Sequence, residues 1–106
     1  MTLDAWLRQR TPAPPDRLLA RIQERLGDRS EQDAGAAAEL CLDAAEELLR
    51  ELIGRPSMGR DAALDLLTAD ALTTYAFEAA AGADAESLGT VASAAMARLG
   101  AFISAS

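Results

Sequence analysis

Histidine and lysine are absent from this 106-residue sequence, and cysteine occurs only once. Histidine is the commonest general base and the commonest transition-metal ligand of proteins. Its absence excludes Ser/His and Cys/His nucleophile pairs, and it excludes ordinary zinc and di-iron sites. We therefore expect no catalytic residues, no metal site and no cofactor, and we predict that the protein is not an enzyme.

The single cysteine, Cys41, lies between Leu40 and Leu42 in a helical pattern. A reactive thiol needs a basic neighbour that lowers its pKa, and none stands beside Cys41 in the sequence. We interpret Cys41 as a small buried hydrophobic residue rather than a nucleophile.

Aromatic residues are also scarce, at 4% of the chain, whereas half of all residues are apolar and many of these are alanine. Alanine is the best helix former but fills little volume, so it favours helices that pack closely. No alternating pattern of a strand is present. The sequence predicts one all-α domain, a bundle of about five helices with a short first helix, three long helices and one of intermediate length.

Negative charge prevails, with a net charge of −7, which disfavours nucleic acid and anionic membranes as partners. Residues 1–30 nevertheless carry six arginines against four acids, whereas residues 31–106 carry four arginines against thirteen acids. Residues 1–10 lack the apolar core of a signal peptide, and Arg98 interrupts the only long uncharged segment. We expect a cytoplasmic protein of bacterial type that neither spans nor binds a membrane.

Proline, glycine and capping residues predict the helix ends. Residues 1–15 form an arm, in which Thr2 caps a short helix and Pro12, Pro14 and Pro15 form a stiff, exposed linker. Ser30 and Asp33 have a spacing similar to a capping box. Glycine or proline follows most of the expected helices and ends them. The expected helices cover residues 2–10, 16–26, 30–53, 60–81 and 84–103.

Helices two and three are expected to form an antiparallel hairpin, because the turn between them is short. Arg17, Arg21 and Arg25 recur every four residues on helix two. Helix three carries acids on a similarly narrow arc, namely Asp33, Glu39, Asp43, Glu46 and Glu47. Two readings stay open: the ridges face each other as ion pairs, or both faces are solvated and never meet.

Helix four is apolar nearly all round, which predicts a central position. Asp70 shares a face with Leu66, Thr73 and Phe77, so we expect its carboxylate to be partly desolvated. One interpretation is a crevice for a small molecule or a lipid, lined by Asp70, Tyr75 and Phe77. The other is a structural aspartate held by Arg98, by an amino-terminal arginine or by a threonine hydroxyl.

Two acidic pairs, Asp61 with Asp65 and Asp43 with Glu47, are spaced by four residues. Such carboxylates could share a divalent cation on one helical face. Acidic pairs are common on exposed helices, however, and we predict no metal site there.

Residues 54–78 resemble a helix of trans-prenyl diphosphate synthases. The resemblance is to the turn and helix that follow the first aspartate-rich motif of that family. It is carried by Gly54-Arg55-Pro56, by Leu66-Leu67-Thr68-Ala69-Asp70-Ala71-Leu72 and by Ala76-Phe77-Glu78. The resemblance implies an isoprenoid-synthase type of all-α packing, with Asp70 and Glu78 as packing residues. The chain lacks the DDxxD motif and any lysine for diphosphate binding, so the resemblance does not imply that activity.

Residues 87–106 carry one charged side chain, Arg98, on a predicted helix. Its expected inward stripe comprises Leu88, Val91, Ala92, Ala95, Leu99, Phe102 and Ile103, and its opposite side is small and uncharged. Small residues allow a second helix to approach closely. We therefore predict a self-associating, homodimeric interaction module without catalytic activity, whose interface comprises Trp6, Gly89, Ser93, Ala97, Gly100 and Ala101.

The competing interpretation of this surface is a monomer, in which the first helix folds over helix five. The alternative function is the small-molecule or lipid binder with its crevice near Asp70. Residue patterns do not indicate a heterologous protein partner.

Overall fold

The computed structural model describes residues 1–54, 59–83 and 85–105. This part of the chain forms five α-helices and two short 3₁₀ segments. At residues 83, 85–88, 90, 91 and 102–105 the description covers the backbone only. No strand occurs within this described part of the chain, and the predicted all-α fold is confirmed. The helices are α1 (Leu3–Arg8), α2 (Asp16–Leu26), α3 (Ala37–Ile53), α4 (Arg60–Ala83) and α5 (Ala85–Ala105).

Helix α1 packs on its own chain. The hydroxyl of Thr2 accepts a hydrogen bond from the Ala5 amide at 3.2 Å, as its predicted capping role requires. The side chains of Leu3 and Leu7 are fully buried, and the Leu3 amide donates to the Gln32 carbonyl at 2.8 Å. The helix of the predicted arm is therefore part of the hydrophobic core of the single chain, whereas its proline linker is mostly exposed, apart from the buried Pro14.

The segment between α2 and α3 differs from the prediction. Gly27 ends α2 with a φ of 55°, a left-handed conformation that favours glycine. The expected capping box does not form, because the Ser30 hydroxyl donates to the Gly27 carbonyl and the Asp33 carboxylate accepts from the Gly35 amide, both at 2.8 Å. These local bonds stabilise turns, so the chain makes 3₁₀ segments at Gly27–Glu31 and Ala34–Ala36 and α3 begins at Ala37.

Helix α4 is central, as predicted, and packs against α2, α3 and α5. Its buried face carries small residues, so α3 and α4 lie close together. Gly82 does not end this helix, which continues to Ala83. The buried side chains of α4 are Asp65, Thr68, Ala69, Leu72, Tyr75, Ala76 and Ala80.

Helix α5 folds back along α4, since Ala95 and Leu99 of α5 face Thr73 of α4. Ala95 is 8% exposed, whereas Leu99, which the periodicity places in the inward stripe, is 51% exposed. Part of the predicted inward stripe lies outside the described side chains, namely Leu88, Val91, Phe102 and Ile103. The expected cap, Asp84, lies outside the described residues. None of the described helices is both long enough and apolar enough to cross a bilayer.

Candidate functional site

The outer face of α5 is exposed and uncharged, and we define it as Gly89, Ser93, Met96, Ala97, Gly100 and Ala101. Each of these side chains or glycine positions is exposed to solvent, with Met96 at 73%. A Cβ atom added at Gly89 or Gly100 would meet nothing within 4 Å. The packing of the single chain therefore does not require these two glycines, and a close external contact would account for them.

Two leucines of α4 are also exposed. Leu66 and Leu67 are 58% and 59% exposed, although the sequence pattern places both on apolar faces of a central helix.

Trp6 contacts residues of its own chain. Its ring packs edge-on against Tyr75, with centroids 6.2 Å apart and an interplanar angle of 84°. The guanidinium of Arg10 lies 3.9 Å from the centroid of the Trp6 ring on its face. Burial raises the pKa of the Tyr75 hydroxyl, and the nearby Glu78 adds to the effect. Trp6 therefore packs against α4 of its own chain, and an interface role for Trp6 stays a prediction.

Asp70 is exposed, so the expectation of a desolvated carboxylate at this position is wrong. The buried carboxylate of α4 is Asp65, which is 1% exposed. Asp65 and Asp70 are five residues apart and therefore point about 140° away from each other around the helix. The sequence signal for Asp65 is its spacing to Thr68, Ala69 and Leu72, which form the buried face.

Arg21 of α2 holds the Asp65 carboxylate. Its Nε and Nη2 atoms lie 2.8 and 2.7 Å from the Asp65 Oδ1 atom. The hydrogen bond to Asp65 raises the pKa of Arg21 above its ordinary value, and the charge of Glu24 adds to this. Arg21 also contacts Glu24 at 3.3 Å. An amino-terminal arginine thus holds an aspartate of α4, but the aspartate is Asp65 rather than Asp70.

The predicted ridges of opposite charge do not pair with each other, because each ion pair found among the described residues between α2 or its following turn and α3 includes one residue outside those ridges. Arg25 pairs with Glu51 of α3 at 2.7 Å, and Arg29 pairs with Glu47 at 2.8 Å. Arg21, in the middle of the basic ridge, pairs with α4 instead. These pairs between α2, its following turn and α3 are partly solvated, so each contributes only about 0–1 kcal/mol.

Asp43 and Glu46 of α3 hold α5. Arg98 Nη2 lies 2.9 Å from the Asp43 Oδ1 atom, and Arg98 Nη1 lies 3.2 Å from the Glu46 Oε2 atom. We call this arrangement the Arg98 clamp. The only charged residue of the last twenty therefore fixes α5 to α3 rather than facing solvent alone.

An apolar gap separates α5 from α3 and α4, and we call it the α5 gap. Its volume is about 80 Å³, and Leu42, Ala45, Glu46, Leu49, Thr73, Ala95, Arg98 and Leu99 line it. Pockets for drug-sized molecules are larger, at about 300–1,000 Å³. Asp70, Tyr75 and Phe77 do not line the α5 gap, and the predicted ligand crevice at these residues stays a prediction.

Among the described side chains, no group of three or more His, Cys, Asp or Glu residues is arranged so that it could hold a metal ion. Asp61 is exposed, whereas its predicted companion Asp65 is buried against Arg21. The two carboxylates of this pair therefore lie in different environments.

Cys41 is fully buried, and burial raises its pKa to about 12. We predict that thiol reagents at pH 8 do not modify the native protein, because burial both shields the thiol from the reagent and keeps it protonated. Labelling in native buffer, compared with labelling in denaturant, measures this. Rapid modification of Cys41 in native buffer would contradict the buried position.

Comparisons with known proteins identify no relative: no protein-family model, no curated protein and no solved structure matches this chain. The resemblance of residues 54–78 to trans-prenyl diphosphate synthases is therefore untested. Asp70 and Glu78, to which the resemblance gives a packing role, are both exposed in the single chain. Arg55 and Pro56, which carry the resemblance of the turn, lie outside the described residues.

Proposed function

We propose that the protein is a self-associating interaction module that forms a homodimer through the outer face of α5. The observation that carries this proposal is the exposure of a row of small, uncharged residues beside Met96 and Leu99. Such a surface gains from being covered, because apolar area leaves water and small residues permit close helix packing.

The outer face of α5 is suited to a copy of itself. Gly89, Ser93, Met96 and Gly100 fall within about 60° of one another around the helix, since successive residues differ by 100°. Met96 forms a ridge, and the small residues on either side of it form grooves. In a two-fold dimer, the ridge of each copy can enter a groove of the other.

The charge distribution also favours this face. The chain has a net charge of −7, so two copies repel each other wherever acidic surfaces meet. The outer face of α5 carries no charged side chain, and the nearby Arg98 is neutralised by Asp43 and Glu46. Association through this face therefore brings no like charges together at its centre.

The solution mass tests the proposal. We expect sedimentation or light scattering to give twice the 11.1 kDa mass of the chain at high concentration, with dissociation on dilution. Gly89→Gln combined with Ala97→Gln places two long side chains on the outer face of α5 and is expected to give a monomer. Ala20→Gln is the matched control, because Ala20 is exposed on α2.

Two outcomes would contradict the dimer. One is a wild-type protein that stays at the mass of one chain at every concentration. The other is a dimer that tolerates the Gly89/Ala97 substitutions as well as Ala20→Gln, which would move the interface elsewhere. Helical circular dichroism of the variant separates loss of association from loss of folding.

We also propose that this module acts in the cytoplasm and does not bind nucleic acid. The net charge of −7 supports the second point, since phosphate backbones attract basic surfaces. A cysteine kept as a buried thiol is compatible with a reducing compartment.

A further inference from the structure

Helix α5 leaves apolar contact area unused. Leu99, at the rim of the α5 gap, is 51% exposed, while the much smaller Ala95 faces the gap. Rotating the helix inward by about 50°, half the angle between successive residues, would direct Leu99 into the gap. Burying apolar area and filling a void are both favourable, so contacts that the rotation would break must offset this gain.

The Arg98 clamp supplies such contacts. Arg98 directly precedes Leu99, so the directions of their side chains differ by about 100°. With its guanidinium 2.9 Å from Asp43 and 3.2 Å from Glu46, Arg98 must point towards α3, and Leu99 is then held at the rim. An inward rotation would carry Arg98 outward and away from both acids.

We propose that the Arg98 clamp sets the rotational position of α5 and thereby keeps Met96 and Leu99 on the outside of the bundle. Without the clamp, α5 rotates until Leu99 fills the α5 gap. The consequence for dimerisation rests on the proposed function: the rotation turns the outer face of α5 away from the position that a second copy contacts, so Arg98 controls self-association.

Rotation of α5 changes the exposure of two alanines in opposite directions. Ala92 and Ala94 are both partly exposed, and they lie on opposite flanks of the buried side of α5. The rotation that buries Leu99 also moves Ala92 towards α4 and moves Ala94 towards solvent. Detachment of the helix, in contrast, exposes both positions together.

The rate of thiol labelling at these two positions measures the change in their exposure. Ala92→Cys and Ala94→Cys are each made in the wild-type protein and in the Arg98→Gln variant, and the labelling rates of the two backgrounds are compared. A dilution series separates the effect of rotation from burial of these positions in a dimer. Cys41 is silent because it is buried and its pKa is raised to about 12. When Arg98 is replaced, we expect labelling to slow several-fold at position 92 and to accelerate several-fold at position 94.

A second variant removes the clamp from the other side. Asp43→Asn with Glu46→Gln leaves α5 unchanged and is expected to give the same opposite changes at positions 92 and 94. Arg98→Glu combined with Asp43→Arg restores an ion pair of reversed polarity and is expected to return both rates towards the wild-type values.

The outcomes are distinguishable from those of the dimer test. Unchanged rates, or faster labelling at both positions, would overturn the clamp proposal whatever the mass of the protein. Opposite changes in a protein that is always monomeric would support the clamp and contradict the homodimer. Opposite changes accompanied by weaker association of the Arg98→Gln variant would support both.

Discussion

Replacing Arg21 with methionine is expected to lower the free energy of unfolding by about 3 kcal/mol. Removing one partner of a buried ion pair costs about 3–5 kcal/mol, because the remaining charge stays in a poorly solvated position. The lower end applies here, since Asp65 is 1% exposed but water reaches part of the Arg21 guanidinium. Urea unfolding followed by circular dichroism, at one fixed protein concentration, measures the change.

Arg17 supplies the matched control for this prediction. It is an exposed arginine on the same helix, so Arg17→Met removes the same charge without affecting Asp65, and we expect a change within about 0.5 kcal/mol. The double variant Arg21→Met with Asp65→Leu removes both charges and is expected to recover most of the loss. Equal effects of Arg21→Met and Arg17→Met would show that Arg21 does not hold Asp65 in solution.

Leu7→Ala is expected to destabilise the protein by about 2–5 kcal/mol, as large-to-small substitutions in a core do. Leu7 is fully buried, although it belongs to a helix of only six residues at the start of the chain. The loss combines the transfer of apolar area with the cavity left between α1 and the rest of the core. Thermal or urea unfolding measures it, with Gln9→Ala, an exposed change just after the same helix, as the control.

Trp6 adds a local readout to this experiment. Because its ring packs against Tyr75 of α4, its fluorescence and the helical circular dichroism of wild-type protein are expected to change in one coincident transition. An earlier change in Trp6 fluorescence, or a Leu7→Ala variant as stable as Gln9→Ala, would mean that α1 is not a fixed part of the core.

Where helices end could largely be read from the residues, because the signals are local. The ends of α2 at Gly27 and of α3 before Gly54 agree with the predicted positions. Gly27 takes a positive φ that glycine favours, whereas Gly54 keeps right-handed backbone angles. The predicted start of α3 is wrong by several residues, because Asp33 caps the short 3₁₀ segment through the Gly35 amide and forms no capping box with Ser30. Competing short-range bonds of this kind are nearly equal in strength, and periodicity does not rank them.

The candidate site was predictable only in its small-residue part. The uncharged row on α5 could be identified because a helix wheel separates small from large residues without knowledge of neighbours. The buried carboxylate could not, because α4 is apolar nearly all round and Asp65 and Asp70 both lie on apolar arcs. Arg21 decides between them, and it lies 44 residues away in the chain.

By itself, the amino-acid sequence determined an all-α chain, a central and alanine-rich fourth helix, and a last helix with a small, uncharged outer side, since all of these follow from propensity and period within one segment. The tertiary structure alone decided that α1 belongs to the core, that Asp65 rather than Asp70 is buried, and that Arg98 clamps α5 with Leu99 outside. Each of these depends on which side of one helix meets another, and that choice is made by contacts between residues far apart in the chain.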